Sequence, residues 1–413
     1  MQAMRVCIHR GSREIGGTVV EIEAAGETLL LDAGLPLVSD ADKPSWVPDL
    51  NGRSPRAIVI THSHLDHCGL LPRMPVVPVA MGAAARRILR TALPYLGMPA
   101  FPLDGPDLID RRPIDIGPFR ITPYLVDHSA YDAYALLIEA DGRRLFYSGD
   151  IRAHGRKSVL VERLIASPPA AIDALLMEGS TLGRDNNDAA RPETESELQD
   201  RLVRTFTETP GMALVRTSAQ NVDRLVSIFR ACLITGRTLL IDLYTAEILA
   251  ATGNRNIPQS DWNGMRLCIP KRQRIQIKRN GWFDVLARHS GNRVFLKRHV
   301  ARNPGAYALI FRGLWMRDLD ESGCLDGACL IHSQWAGYLG REQFKAIDIW
   351  RRAHDMPLHQ IHTSGHASPT DLKRIALALA PELVVPIHSD VPERYADLYP
   401  NVVRHNDGEW WNV

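Results

Sequence analysis

The chain has 413 residues, 45% of them hydrophobic and 23% charged, which is long enough for two domains with separate cores. Its net charge of +2 excludes a uniformly basic nucleic-acid-binding protein, though not a local basic patch, and no apolar run approaches a membrane span. Arginine supplies the positive charge, with 42 Arg against 7 Lys. Met1-Gln2-Ala3-Met4-Arg5-Val6 lacks the apolar stretch of a signal peptide. The six cysteines (7, 68, 232, 268, 324, 329) are scattered, without a Cys-x-x-Cys pair. Reduced thiols, a cytoplasmic location and no membrane association are therefore the expectation.

The first ~180 residues are rich in short strand signals. Thr18–Ile22 and Thr28–Leu31 flank Ala25-Gly26 as a hairpin, and Ala57–Ile60 reads as a short buried strand. It runs directly into Thr61-His62-Ser63-His64-Leu65-Asp66-His67, where four potential metal ligands fall within six residues. His62 and His64 share one side of an extended backbone, and Asp66 and His67 can turn toward a second ion. Ile121–Val126 leads to His128, and the hairpin Ala135–Ile138/Arg144–Tyr147 leads to Asp150. Asp32 likewise follows a strand. Imidazole and carboxylate together suit zinc or a similar divalent ion, and two neighbouring ions suit phosphate-ester hydrolysis.

From Glu195 to Thr207 the apolar spacing becomes helical and stops at Pro210-Gly211. Strand Met212–Val215, helix Val222–Leu233 and strand Thr238–Ile241 predict a small parallel α/β domain, to which Ala308–Phe311 is assigned. Lys271–Arg279 holds five cations in nine residues, with Lys297, Arg298 and Arg302 beyond it. Either a solvated face or a nucleic-acid track explains it. Loop-borne histidines then return: His366 in Thr363-Ser364-Gly365-His366-Ala367-Ser368, a helix from Pro369 to Leu379, and strand Leu383–Ile387 ending on His388. Ligands at both ends with a different rhythm between them predict an insertion into a metal-binding domain. The expected segments are 1–185, 186–345 and 346–413, the middle one being the insert. The other histidines, His332 and His362 included, are read as structural.

The ordered set His62, His64, Asp66, His67, His128, Asp150 and His388 resembles the metallo-β-lactamase superfamily. Leu176-Met177-Glu178-Gly179-Ser180-Thr181, Ser364-Gly365-His366-Ala367 and Pro386-Ile387-His388 resemble three motifs of its β-CASP nucleases. Gly11-Ser12-Arg13-Glu14-Ile15-Gly16-Gly17 and Asp242-Leu243-Tyr244-Thr245-Ala246 look like the ribonuclease J branch. Glu178-Gly179-Ser180-Thr181 is closer to the cleavage-and-polyadenylation endonucleases, and His388-Ser389-Asp390 departs from the His-Gly-Glu usual in ribonuclease J. The resemblance implies an α/β fold, an αβ/βα four-layer sandwich with an inserted β-CASP domain. It implies two divalent ions, zinc first and manganese as the alternative. His62, His64 and His128 would hold one ion, Asp66, His67 and His388 the other, and Asp150 would bridge them. Asp32 would orient the histidine loop from beneath, and Glu178 would orient a ligand or His366. His366, with Asp66 and Glu178, completes the catalytic set, and Ser364 and Ser368 would meet a substrate phosphate.

A hydroxide between two such ions could attack a phosphodiester, and a nearby histidine could protonate the leaving oxygen. Single-stranded RNA is the expected substrate, cut from the 5′ end, internally or both. A β-CASP DNA nuclease and a thioesterase- or lactonase-like small-molecule hydrolase are the alternatives. The oligomeric state, a homodimer included, stays open.

Overall fold

A computed structural model describes residues 4–37, 47–50, 52–183, 191–289, 291 and 293–413. The chain divides into two compact units, residues 1–192 with 365–413, and residues 193–364. The boundary expected between 185 and 186 lies outside the described residues. The return to the first unit comes at Gly365, later than the expected 346.

The first unit opens with antiparallel strands β1 (Arg5–Arg10), β2 (Val19–Ala24) and β3 (Glu27–Leu31). Strand β4 (Ile58–Val59) joins β3 in parallel, shorter than the four residues expected. Helix α1 (Leu65–Cys68), strand β5 (Val79–Gly82), helix α2 (Ala83–Leu96) and strand β6 (Asp107–Leu108) follow. Strands β7 (Ile114–Ile116), β8 (Phe119–Val126), β9 (Ala133–Ala140) and β10 (Arg143–Tyr147) form an antiparallel meander. Helix α3 (Val159–Ala166) then leads to β11 (Ala174–Glu178), parallel to β10.

The second unit begins at helix α4 (Glu195–Glu208), where Thr194 and Glu197 satisfy each other's backbone N–H groups in a capping box. Strand β12 (Ala213–Arg216), helix α5 (Val222–Ile234), strand β13 (Thr238–Ile241) and helix α6 (Leu243–Ala251) alternate. Strand β14 (Met265–Leu267), helices α7 (Lys271–Asn280) and α8 (Phe283–Arg288), strand β15 (Tyr307–Phe311) and helix α9 (Met316–Ser322) follow. Strand β16 (Cys329–His332), helix α10 (Glu342–Ala353) and strand β17 (Leu358–Gln360) complete it. All six strands pair in parallel, in the order β14-β13-β15-β12-β16-β17. One face packs on α4, α5 and α6, the other on α9 and α10. Phe344, Ile347 and Trp350 of α10 are buried there and β17 pairs with β16, which is why residues 346–364 belong to this unit.

Helix α11 (Pro369–Leu379), strand β18 (Leu383–Ile387) and strand β19 (Trp410–Asn412) return to the first unit. Its two sheets run β19-β1-β2-β3-β4-β5-β6 and β18-β11-β10-β9-β8-β7. Strand periodicity divides the side chains between layers. In β9, Tyr134, Leu136 and Ile138 meet Val6, Ile22 and Leu31 of the other sheet, while Ala133, Ala135 and Leu137 face the opposite way. Helices α3 and α11 cover that outer face, through Val161, Leu164, Leu372 and Ile375. Helix α2 covers the other sheet through Ala85, Leu89 and Leu93. The result is a four-layer αβ/βα sandwich. Among the described residues no helix is long and apolar enough to cross a membrane.

Candidate metal centre

In the first unit, the segments bearing the expected ligands leave the sandwich at one edge. Strands β3 and β4 are parallel to each other, and β8, β10, β11 and β18 run in one direction. Their carboxyl ends deliver Asp32, the 61–67 loop, His128, Asp150, Glu178 and His388. Backbone bonds knit the loop in place: Thr18 N–H donates to the Asp66 carbonyl, Ala33 N–H to His67 and Leu35 N–H to Leu65. A Cβ on Gly34 would lie 1.8 Å from the Asp66 carbonyl oxygen, so only glycine permits this approach. Asp32 and His388 both take left-handed backbone angles, φ 57° and 54°. His388 is held there by its N–H bond to the Gly11 carbonyl (2.7 Å).

Asp150 is the centre of the cluster. Its Oδ2 lies 3.3 Å from His67 Nε2, 3.7 Å from His62 Nε2 and 3.8 Å from His128 Nε2, while Oδ1 lies 3.8 Å from His388 Nε2. The potential ligand atoms group as His62/His64/His128, Asp66/His67/His388, His62/His67/Asp150 and His128/Asp150/His366, each set within 4.8 Å. The first two are the triads expected for the two ions, and Asp150 stands beside both. His62, His67, His128, Asp150 and His388 are buried, and His64 and Asp66 are partly exposed.

His67, His128 and His388 are each held through the other ring nitrogen, which fixes the ring. Asp32 Oδ2 accepts from His67 Nδ1 and from the Tyr147 hydroxyl, both at 2.7 Å, and Asp32 Oδ1 accepts from the Thr61 N–H at 2.8 Å. The Gly365 carbonyl accepts from His128 Nδ1 (2.7 Å), and Thr18 Oγ1 meets His388 Nδ1 (2.8 Å). A buried ion pair, Asp127–Arg152, ties the start of the His128 loop to the segment after Asp150. Thr18, Thr61, Tyr147 and the Gly365 carbonyl carry no signal of this role in the sequence.

Burial pushes His62, His64, His128 and His388 below the usual imidazole range, so these rings are neutral with a lone pair to offer. For His67 burial acts in the same direction, but Asp150 and Asp32 outweigh it and raise the ring. Burial would likewise raise Asp150, yet His388, His67 and His366 hold it ionised, well below the carboxylate range. Among the described residues, His62 Nε2, His67 Nε2, His388 Nε2 and Asp150 Oδ1 are buried without a hydrogen-bond partner. Leaving one such group unsatisfied costs about 1–3 kcal/mol. Four converging on one point fit a divalent cation, whose bonds would satisfy them together.

His366 is one-fifth exposed, and its Nδ1 lies 3.1 Å from Glu178 Oε2 and 3.8 Å from Asp150 Oδ2. An ionised carboxylate only accepts, so the imidazole donates to Glu178. Glu178 is itself fixed, accepting from the N–H of Ile151 and from the N–H and hydroxyl of Ser180. Ser368 departs from expectation. Its hydroxyl accepts from Asp371 N–H and donates to the Asp371 carboxylate, so it caps α11 and is committed to the helix. Ser364 closes the second unit.

A family model described as a beta-lactamase superfamily domain matches residues 27–214. Ribonuclease J of Mycolicibacterium smegmatis is 27% identical over 254 residues, covering 57% of this chain and 43% of that enzyme. Ribonuclease J of Mycoplasma genitalium is 23% identical over 422 residues, covering 92% of this chain and 67% of the enzyme. The chain is similar to β-CASP members of the metallo-β-lactamase superfamily. The matched part thus spans less than half of the first of these relatives. A crystal structure of a protein of unknown function from Enterococcus faecalis V583 matches over 100% of both chains, with a TM-score of 0.80 and 22% identity, a likeness of fold. The metallo-β-lactamase fold implies divalent-metal binding, and the donor groups around Asp150 could provide it.

Proposed function

We propose that this chain is a divalent-metal-dependent nuclease that hydrolyses RNA phosphodiester bonds. The observation that carries the reading is the pair of donor triads beside Asp150, with His366 held next to them by Glu178. The similarity to β-CASP members and the relatives named ribonuclease J support RNA as the substrate. In this reading His62, His64 and His128 hold one ion, Asp66, His67 and His388 the second, and Asp150 serves both. The nitrogen and oxygen donors suit zinc, and manganese is the alternative. When bound, such ions acidify water and neutralise charge on a phosphate.

The protein's own groups do the rest. Asp32 keeps His67 turned toward Asp150. Glu178 accepts a hydrogen bond from His366 Nδ1 and orients the ring, so that the protonated imidazole can give the proton on its opposite nitrogen to the leaving 3′ oxygen. The partial exposure of His366, against the burial of His67, His128, Asp150 and His388, suits a group that meets substrate. Ser364 is the proposed substrate contact, while the Ser368 hydroxyl serves the α11 cap.

The test uses metal-loaded protein and matched RNA and DNA oligonucleotides bearing a 5′-phosphate, 5′-triphosphate or 5′-hydroxyl. Metal-dependent cleavage of RNA is expected. Mononucleotides released only from 5′-phosphorylated RNA identify a 5′-exonuclease, and internal cuts identify an endonuclease. Protein carrying two ions that cuts no RNA would overturn the reading, and cleavage of DNA alone would reassign the substrate. His366→Ala is expected to lower kcat by about 10²–10⁴-fold with metal content retained. Full activity of that variant would remove its role.

A further inference from the structure

Residues 271–302 of the second unit carry ten Lys or Arg and one acidic residue, Asp284. The local net charge is +9, against +2 for the whole chain, so the remainder is net negative. The cations are on the surface: Arg272, Lys278 and Arg279 on α7, and Lys297, Arg298 and Arg302 beyond it, are all exposed. The two groups spring from adjoining backbone, because Leu267, four residues before α7, bonds the N–H of Val294 and bridges to Arg293. Leu296 and Val300 then pack beside Cys268 and Leu319 in one core.

Acidic groups border this face without neutralising it. Asp318 pairs with Arg274 and Glu247 with Arg288, while Glu321 lies close enough to feel Lys271. Arg272, Lys278, Arg279, Lys297, Arg298 and Arg302 meet no carboxylate within 4.0 Å among the described residues. Some exposed cations elsewhere are paired, as Arg56 is with Glu27 and Arg374 with Glu162. Helix α7 starts with two cations, Lys271 and Arg272, although the Asp318 carboxylate accepts its first N–H, and Arg274 and Lys278 repel each other one turn apart. A polyanion laid across the face would reverse both effects. Exposed rings interrupt the charge: Phe283 is 57% exposed and Phe295 41%, the latter under the Arg293 guanidinium at 5.1 Å.

We propose that this face binds the sugar-phosphate backbone of single-stranded RNA, with Phe283 and Phe295 as stacking platforms for unpaired bases. The identity of the polymer rests on the nuclease reading above; the surface itself rests on charge and exposure. Binding of a labelled single-stranded RNA to the full chain, measured by fluorescence anisotropy in EDTA over a series of salt concentrations, tests it. Arg272→Glu/Lys278→Glu/Arg279→Glu and, separately, Lys297→Glu/Arg298→Glu should each weaken binding about 10-fold or more. Each should also flatten the plot of log affinity against log salt, by about 0.7 per cation removed. Phe283→Ala/Phe295→Ala should weaken binding and leave that slope unchanged. Circular dichroism establishes that the variants fold, and alanine in place of glutamate substitutes for any that does not. Unchanged affinity and slope in both charge variants would overturn the proposal, as would tighter binding to duplex of equal length or to phosphatidylserine vesicles. Cleavage of the same RNA with metal restored separates the two ideas. Patch-dependent binding without cleavage leaves the surface standing and sinks the nuclease reading; cleavage with patch-independent binding does the reverse.

Discussion

Buried charged groups differ between the two units. In the second, the buried Arg224 and Arg237 are bonded throughout. Arg224 donates to both oxygens of Glu195, to the carbonyl and hydroxyl of Ser333 and to the Thr363 carbonyl. Arg237 closes the end of α4 by bonding the carbonyls of Phe206, Thr209, Gly211 and Tyr307. In the first unit, three imidazole nitrogens and a carboxylate oxygen converge with no hydrogen-bond partner. Equal burial thus serves different ends: where every donor has its acceptor the polar group builds the fold, and where donors are left over it prepares a ligand site.

The sharpest way to break this contrast is Asp150→Asn. The substitution removes the charge shared by the surrounding histidines, and activity should fall on the order of 10³-fold with loss of bound metal, read by elemental analysis. Normal metal content and turnover would show that Asp150 is not the hub. In the second unit Arg224→Met strands the buried Glu195 carboxylate, and urea denaturation should show a loss of about 3–5 kcal/mol. Metal content per folded molecule should stay at the wild-type level. A loss under 1 kcal/mol would mean that the saturated network is dispensable.

His332 gives a pH-dependent test. Burial pushes its imidazole down to about 4, the Trp335 carbonyl pulling upward and Arg216 adding to the fall. The ring is neutral when folded but protonates near 6.5 when unfolded, so the unfolded chain binds more protons between these values. Its contribution is therefore complete above about pH 6.5 and is lost as the pH falls toward 4. His332→Gln should flatten the stability curve in that window, and an unchanged curve would assign the acid sensitivity elsewhere. The smallest effect is expected from Ser368→Ala, about 1 kcal/mol of stability through the lost α11 cap, with kcat unaltered. A fall in kcat would return Ser368 to the substrate.

Much of the site was legible because chemistry-bearing residues follow short apolar runs: His62 after Ala57–Ile60, His128 after Ile121–Val126, His388 after Leu383–Ile387. A strand end is where a polar side chain can leave the core, so the pattern marks both the strand and the ligand. Ser368 was readable too, since serine before proline with an acidic residue three positions on is an N-cap signature. Tyr147, Thr61 and Thr18 were not. Such residues are common in and beside strands, and only the packing of the two sheets and the pairing of β3 with β4 bring Tyr147 and Thr61 to Asp32.

The sequence alone determined the donor types, their order and the change of rhythm that separates the two units, because local spacing encodes periodicity and donor chemistry. Only the tertiary structure decided that donor side chains from positions 62 to 388 meet around one carboxylate, that the first unit resumes at Gly365, and which hydroxyls serve the site or the fold. Those outcomes depend on strand order and register, through contacts between residues hundreds of positions apart that no local pattern records.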